Sequence, residues 1–272
     1  MRVLFIGGDK RMNYAADSLS AAFDTERLGL GEYPAPEGKF GAIVLPLPLT
    51  KNGSAIYAPM SEQPLGFDIL NRFTEKNAVV FAGGECENLT RFCADNSLTI
   101  VNYFANESLT LKNAAITAEA ACALMSQSTD GALLGASVLI TGYGRIARFL
   151  AERLRAFGCT VTVAARRVEQ RVSAQLDGFF AIAADEIPDV VNRFDHIANT
   201  VPFGLFSERE FSKMRRGCVF TELASLPEEP AKTLAERCGV LYIYASGLPG
   251  KFSPKAAGEY IADEISGRLK IE

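Results

Sequence analysis

Residues 138–167 read VLITGYGRIARFLAERLRAFGCTVTVAARR. They give, in order, an apolar run of strand length, a glycine-rich turn, an amphipathic stretch and a second β-branched run. The turn Gly142-Tyr143-Gly144-Arg145-Ile146-Ala147 has the spacing GxGxxA. In such a turn the first glycine makes the tight bend, the second lets backbone N–H groups approach a pyrophosphate, and the small third residue lets helix and strand pack closely. The helix is predicted to bury Ile146, Leu150, Leu154 and Phe157 and to stop at Gly158. Its N-terminus offers unpaired N–H groups to an anion. A glycine turn that merely links strand and helix is the plainer alternative. With strand, turn and helix all in place, a dinucleotide site is the better expectation.

The end of the second run indicates which dinucleotide. Where an acidic residue would meet a ribose 2′-hydroxyl, the sequence has Ala165-Arg166-Arg167. Guanidinium groups suit a 2′-phosphate, so NADP is the expected cofactor. Two arginines solvated after a strand would be the structural alternative.

Working outward, short β-branched runs alternate with helical stretches on both sides: Val3–Ile6, Glu26–Gly29, Ala42–Leu45, Val79–Ala82 and Thr99–Tyr103 before the motif, and Phe179–Ile182, His196–Thr200, Val219–Glu222 and Leu241–Ala245 after it. The expected fold class is α/β, with two Rossmann-like, doubly wound parallel-sheet domains joined by a connector helix. Residues 1–112 form the first, substrate-binding domain. Residues 113–253 comprise the connector helix, predicted from Asn113 to Gln127, and the NADP-binding domain. A C-terminal helix over 254–272, with Ser253 as N-cap and Pro254 at its first position, is placed against the first domain.

Three further loops should lie at the carboxyl edge of the second sheet, where ligands bind: Asn199-Thr200-Val201-Pro202, Leu223-Ala224-Ser225 after Glu222, and Gly247-Leu248-Pro249-Gly250. In the first domain the turn Gly7-Gly8-Asp9-Lys10-Arg11 fails the dinucleotide spacing. Arg11 there could meet a carboxylate, or the loop could be an ordinary βα turn. Lys251 and Lys255, near the start of the last helix, are candidates for a dicarboxylate, or simply a solvated first turn.

Composition sets limits on the rest. Hydrophobic residues make up 48% and charged residues 22% of the 272-residue chain, which is ordinary for globular domains and large enough for two cores. A formal net charge of −4 without basic runs argues against a nucleic-acid partner. The six cysteines form no CxxC pair and the single histidine is His196, so neither a zinc site nor a disulfide framework is expected, and a reducing cytoplasm fits. No run has membrane-span or signal-peptide character, so no membrane insertion is expected. With His196 inside a predicted strand and no later histidine, oxidation of a secondary alcohol by an imidazole base is disfavoured.

With these residues assembled, the chain resembles the A-type subunits of dipicolinate synthase. The resemblance rests on Gly7-Gly8-Asp9, Asn113 with Thr117-Ala118-Glu119, Gly142 and Gly144 with Ala165-Arg166, Asn199-Thr200, Leu223-Ala224-Ser225, and the segment GLPGKFSPKAAG over 247–258. It covers nearly the whole chain and is weakest in the first hundred residues. The family's activity would be NADP-dependent oxidation of a dihydrodipicolinate-level intermediate to dipicolinate during sporulation, with the second, flavoprotein-like B-type subunit of dipicolinate synthase as partner. Ile116, Ala120 and Glu222 depart from the family pattern, where proline, glycine and aspartate are expected.

Aromatising a dihydropyridine ring needs no alcohol base, which agrees with the missing histidine. Thr117 and Glu119, taken to stand at the start of the connector helix, are the catalytic candidates, with Glu119 as proton acceptor; a helix cap and a favoured acidic first turn would account for both without chemistry. Gly8, Asp9, Arg11, Asn113, Gly247, Pro249, Gly250, Lys251 and Lys255 are the expected substrate contacts. Two alternatives stay open: a non-catalytic NADP-binding docking subunit, and a dehydrogenase of another small carboxylic acid. Self-association into a homo-oligomer is open as well.

Overall fold

The computed structural model describes residues 1–128, 131–225 and 227–270. The chain forms two compact units, Met1–Asn113 with Pro249–Glu272, and Ala114–Leu248.

The first unit contains β1 (Arg2–Ile6), α1 (Lys10–Leu19), β2 (Asp24–Leu28), β3 (Phe40–Val44), the short antiparallel pair β4 (Ala55–Ile56) and β5 (Leu65–Gly66), α2 (Leu70–Phe73), β6 (Thr74–Ala82), α3 (Glu87–Asp95) and β7 (Thr99–Asn102). Its main sheet is parallel, in the order β2-β1-β3-β6-β7. Leaving out the hairpin, this is the 2-1-3-4-5 order of doubly wound flavodoxin-like folds. Because helices cover both faces, the strands are apolar throughout rather than alternating. Val3, Phe5, Ala42, Val44 and Phe81 face one core, while Leu4, Ile6, Ile43, Val80 and Ala82 face the other.

The 21-residue helix α4 (Glu107–Gln127) follows and runs through the division between the units. The second unit then contains β8 (Ser137–Thr141), α5 (Arg145–Ala156), β9 (Thr160–Ala165), α6 (Val168–Leu176), β10 (Phe180–Ala183), α7 (Ile187–Val190), β11 (His196–Asn199), α8 (Glu208–Lys213), β12 (Val219–Glu222), α9 (Ala231–Arg237) and β13 (Leu241–Tyr244). These strands form a parallel sheet in the order β10-β9-β8-β11-β12-β13. Counted from β8 this is 3-2-1-4-5-6, the dinucleotide-binding order, with its switch point between β8 and β11.

The chain ends with α10 (Leu248–Phe252) and α11 (Pro254–Leu269). Helix α11 lies against α1, and its Ile261, Ala262, Ile265 and Leu269 complete the core that Met12, Ala15, Ala16 and Leu19 of α1 begin. Close approach depends on Gly258, where a Cβ would come within 2.4 Å of the Arg11 carbonyl oxygen and 2.7 Å of Tyr14 Cβ.

Several expectations are corrected here. The connector helix begins at Glu107, not Asn113, because Asn106 accepts from the Ser108 and Leu109 N–H groups and starts it a turn and a half earlier. Thr117 and Glu119 therefore sit mid-helix, away from its first turn. Phe157, expected in the core of the second unit, is 52% exposed; α5 buries Ala147, Leu150, Ala151 and Leu154 instead. The segment expected as a Gly/Pro loop becomes helical from Leu248. Ser253 does occupy the N-cap of α11, ahead of Pro254, but its side chain makes no capping bond.

Candidate nucleotide-binding site

At the carboxyl end of β8 the chain turns at Gly142, whose φ of +77° favours glycine and where a Cβ would lie 3.2 Å from Thr200 Oγ1. Gly144 is the N-cap of α5 and supplies no side chain to its first turn, so no side-chain bond caps the helix. A Cβ at Gly144 would meet nothing within 4 Å. The space above the helix N-terminus is thus open, which is what a pyrophosphate requires. Between these glycines, Tyr143 is buried: its hydroxyl donates to Asp177 Oδ2 at 2.6 Å and its ring meets Phe179 edge-on at 6.3 Å. It anchors the turn and leaves only its backbone for a ligand. Arg145 is exposed and Ile146 half-buried in the first turn of α5.

A cavity of about 270 Å³ opens beside this turn, lined by Gly142, Ala164, Ala165, Arg166, Arg167 and Val201. Phe203, Leu205, Gln170 and Ala184 complete its wall. A second hollow of about 500 Å³ shares Arg166, Ala184 and Leu205 with it and adds Arg171 and Asp185. Both arginines at the end of β9 are exposed, and the Arg166 guanidinium lies 5.5 Å from the centre of the Phe203 ring. Arg171 is occupied differently: its Nη1 donates to the carbonyls of Ala165 and Arg166 at 2.9 and 2.8 Å, fixing the end of β9. The residues present fit a dinucleotide, since Gly142 of the glycine turn and the cationic Arg166 and Arg167 line one cleft.

The loops after β11 and β12 are tied to the turn by buried hydrogen bonds. Thr200 Oγ1 donates to the Thr141 carbonyl at 2.6 Å, and Asn199 Nδ2 lies 2.9 Å from both carboxylate oxygens of Glu222. Leu223 and Ala224 are buried, and their N–H groups donate to the Asn199 carbonyl at 2.8 and 3.1 Å. Ser225 and Pro202 are exposed. Burial pushes the Glu222 carboxyl above its ordinary pKa, with the bonds from Asn199 and Ala224 acting in the opposite sense.

The expected substrate contacts fall into separate groups. Asp9, Arg11 and Gly250 come together: a Cβ at Gly250 would lie 2.7 Å from Asp9 Oδ2 and 3.0 Å from Arg11 Nε. Arg11 is 5% exposed and is gripped by Asp9 through Nε and Nη2, both at 2.8 Å; Nη2 also donates to the Leu47 carbonyl. The carboxylate that Arg11 meets in this structure is therefore Asp9. Gly8, with φ +107°, packs on Met12 and Pro46. Beside this cluster the Tyr57 hydroxyl titrates above its ordinary value, through burial and the nearby Asp9 charge. Lys255 lies 4.0 Å from Glu259, and Lys251 is exposed on α10. Gly247 precedes α10 with φ +67°, and Pro249 is buried within it. Asn113 is half-buried on α4, Thr117 is buried and Glu119 is exposed.

His196 is buried at the start of β11, its Nδ1 without a partner among the described residues, and burial lowers its pKa. Sequence reasoning missed Phe203, Gln170 and Arg171, and did not place Glu222 in a network. The aromatic in VPFGLF was the one local signal for the cleft wall. No group of three or more potential metal ligands occurs among the described residues, and no helix there is long and apolar enough to cross a membrane.

Comparisons with known proteins agree with this architecture. Residues 112–225 match the D-isomer specific 2-hydroxyacid dehydrogenase NAD binding domain, and residues 2–104 match the N-terminal domain of the dipicolinate synthase A-type subunit. The A-type subunit of dipicolinate synthase from Bacillus subtilis (strain 168) is 26% identical over 287 residues, covering 99% of this chain and 96% of the relative. The crystal structure of that enzyme's A-type subunit from Bacillus subtilis superposes with a TM-score of 0.84 at 26% identity, covering 100% of this chain and 96% of that one. Its counterpart from Bacillus halodurans gives 0.86 at 24%, covering 100% and 98%. A transhydrogenase from Sinorhizobium meliloti, at 0.69 and 14% identity over 100% and 93%, shares the fold. The chain thus matches, in turn, the N-terminal domain of the dipicolinate synthase A-type subunit and a dehydrogenase-type NAD binding domain, and it resembles such subunits along its whole length.

Proposed function

We infer that the chain is an NADP-dependent oxidoreductase subunit that converts a dihydrodipicolinate-level ring to dipicolinate, acting in the cytoplasm of a sporulating cell with a partner of the dipicolinate synthase B type. The observation that carries the cofactor assignment is the cleft running from the Gly142–Gly144 turn to Arg166 and Arg167. The relative's name carries the substrate assignment.

NADP bound there would supply the hydride acceptor for the ring. The chain's own residues do the rest. Backbone N–H groups at the start of α5 would hold the pyrophosphate, Arg166 and Arg167 would neutralise the 2′-phosphate, and Arg166 with Phe203 would bracket the adenine. Aromatising the ring releases one hydride and one proton. Glu119 is the candidate for the proton, from its exposed position on α4. For the two substrate carboxylates, Arg11 is less suited than its sequence position suggested, because Asp9 already balances its charge. Lys251, Lys255 and the backbone around Gly8, Asn113, Gly247 and Gly250 are the candidates that stay.

A second reading is a docking subunit that binds NADP while its partner performs the chemistry; the exposed position of Glu119, outside the wall of the cleft, favours it. Nicotinamide absorbance separates the two. The purified chain, mixed with dihydrodipicolinate and NADP, should form NADPH alone or upon addition of the partner. Turnover that appears only with the partner and is unchanged in Glu119→Gln supports the docking role. Reduction driven by 2-hydroxy acids, with no dipicolinate binding, would point to another small-acid dehydrogenase.

A further inference from the structure

At the carboxyl edge of the six-stranded sheet, the last residues of three neighbouring strands stand opposite one another. Thr141 of β8 pairs with Asn199 of β11, and Asn199 pairs with Glu222 of β12. All three are buried. A carboxylate in that position is disfavoured unless hydrogen bonds hold it. Its donors are Asn199 Nδ2 and the Ala224 N–H, each at 2.9 Å.

Every link in this row has a direction. An ionised carboxylate only accepts, so the Asn199 amide must turn Nδ2 toward Glu222 and Oδ1 toward Thr141. Thr141 Oγ1 therefore donates to Asn199 Oδ1, at 2.5 Å, and its lone pairs are left to receive the Thr200 N–H at 3.2 Å. Thr200 Oγ1 closes the circuit on the Thr141 carbonyl, and the Val201 N–H donates to Asn199 Oδ1 at 3.3 Å. The ladder ends on the segments that supply Gly142 and Val201 to the cleft wall.

We propose that Glu222 is a positioning residue of the nucleotide cleft: its negative charge fixes the polarity of this buried ladder and thereby holds the Gly142 turn and the Thr200–Val201 segment in the arrangement a dinucleotide meets. The proposal rests on the nucleotide reading of the cleft. A neutral group at Glu222 reverses the ladder. In Glu222→Gln the amide oxygen keeps the Ala224 N–H, so the new NH2 faces Asn199. Asn199 must then flip, its own NH2 meets a Thr141 oxygen that already accepts from Thr200, and the Thr141 hydroxyl proton loses its acceptor. Moving the charge by one strand repairs the row from Thr141 to Glu222, although the bond from Asn199 Nδ2 to the Val201 carbonyl, at 3.2 Å in the wild type, is absent from both variants. In the double variant Glu222→Gln/Asn199→Asp, the new carboxylate accepts from Thr141 on one side and from the glutamine amide on the other.

Protonating Glu222 removes the charge that favours this polarity, so the wild-type ladder weakens as pH falls through its raised pKa. The titratable side chains beside it are phenols on β13, Tyr244 directly opposite and Tyr242, with Glu228 and Glu229 beyond acting on Tyr242. Strands β8 and β11 present Thr141 and Asn199, which do not titrate.

The test combines NADPH titration by fluorescence, from about pH 8 to about pH 5, with hydrogen–deuterium exchange on the ligand-free chains. Glu222→Gln should weaken NADPH binding about tenfold, the scale of one charge-assisted hydrogen bond. It should also lack the wild-type loss of affinity toward acid and exchange faster at the Thr200 and Val201 N–H groups. The double variant should recover affinity and slow exchange. The 2′-phosphate of NADPH titrates alike in both proteins, so the difference between the profiles belongs to Glu222. Wild-type affinity, pH profile and exchange in Glu222→Gln would overturn the proposal, as would a double variant no better than the single one. If wild type takes up no dinucleotide, the nucleotide reading fails, while exchange in the ligand-free chains still decides whether the ladder exists.

Discussion

Gly142 and Gly144 stand two residues apart in one turn and answer to different constraints. Gly142 has a positive φ and Thr200 against it, whereas Gly144 has an ordinary φ of −89° and open space where a side chain would go. Gly144→Val should therefore fold, with only a small loss of Tm from the poorer N-cap, and fail to bind dinucleotide, because the new side chain fills the pyrophosphate position. Equal NADPH affinity in that variant would separate the turn from any nucleotide. In the same cleft, Arg166→Ala should weaken NADPH binding by about tenfold to a hundredfold, from loss of a charge-assisted contact of ~1.5–3 kcal/mol, and weaken NADH binding much less, since NADH loses only the contact beside the adenine. His196 carries a third prediction. Burial lowers its pKa below 6.5, partly offset by Asp195, so on acidification the unfolded chain takes up the proton first. Stability should fall as pH drops from about 6.5 toward the lower folded value, and His196→Gln should lack that fall. Burial acts to raise Asp195, but the bonds from Ser137 and the Arg215 charge outweigh it and hold the carboxyl low, so its own loss comes only below 3.8. As the sole histidine, His196 gives one imidazole NMR signal, and an ordinary pKa there would contradict the argument.

Among the elements, the packing of α11 on α1 turns on one missing side chain. Gly258→Ala places a methyl group 2.4 Å from the backbone oxygen of Arg11, so the helices must separate. A loss of ~1–3 kcal/mol, read by chemical denaturation, is expected; an unchanged midpoint would mean that the helices do not pack this closely. Strand positions were legible because apolar runs of strand length recur between helical stretches. Helix boundaries were less so. The start of α4 depends on Asn106, whose side chain collects two N–H groups, and an asparagine ahead of Glu-Ser-Leu is as compatible with a turn as with a cap. Phe157 fits the apolar spacing of α5, yet it follows the last helical residue and points away from the core. Periodicity marks the buried stripe only as far as the helix itself continues.

For the whole molecule, alternation of strands and helices was enough to give the α/β class and parallel sheets, since parallel neighbours need crossovers. The strand, glycine turn and helix around Gly142 were equally legible, because they are contiguous in sequence. The ladder through Glu222 was not, because its members lie 58 and 23 residues apart and meet only by sheet register. The same holds for Arg11, whose partner is two residues away but whose burial depends on Leu47 and Gly250. Local chemistry could be read from the chain, and the partners chosen by topology could not.

The central claim is that the second unit holds NADP at the Gly142 turn with its 2′-phosphate on Arg166 and Arg167. Fluorescence titration of the purified chain with NADPH and with NADH, each in the absence and presence of dipicolinate, tests it most directly. The account predicts tighter binding of NADPH than NADH, and tightening by dipicolinate. Equal affinity for the two would contradict the arginine assignment, and no binding of either would leave the glycine turn as scaffold and remove the basis for an oxidoreductase.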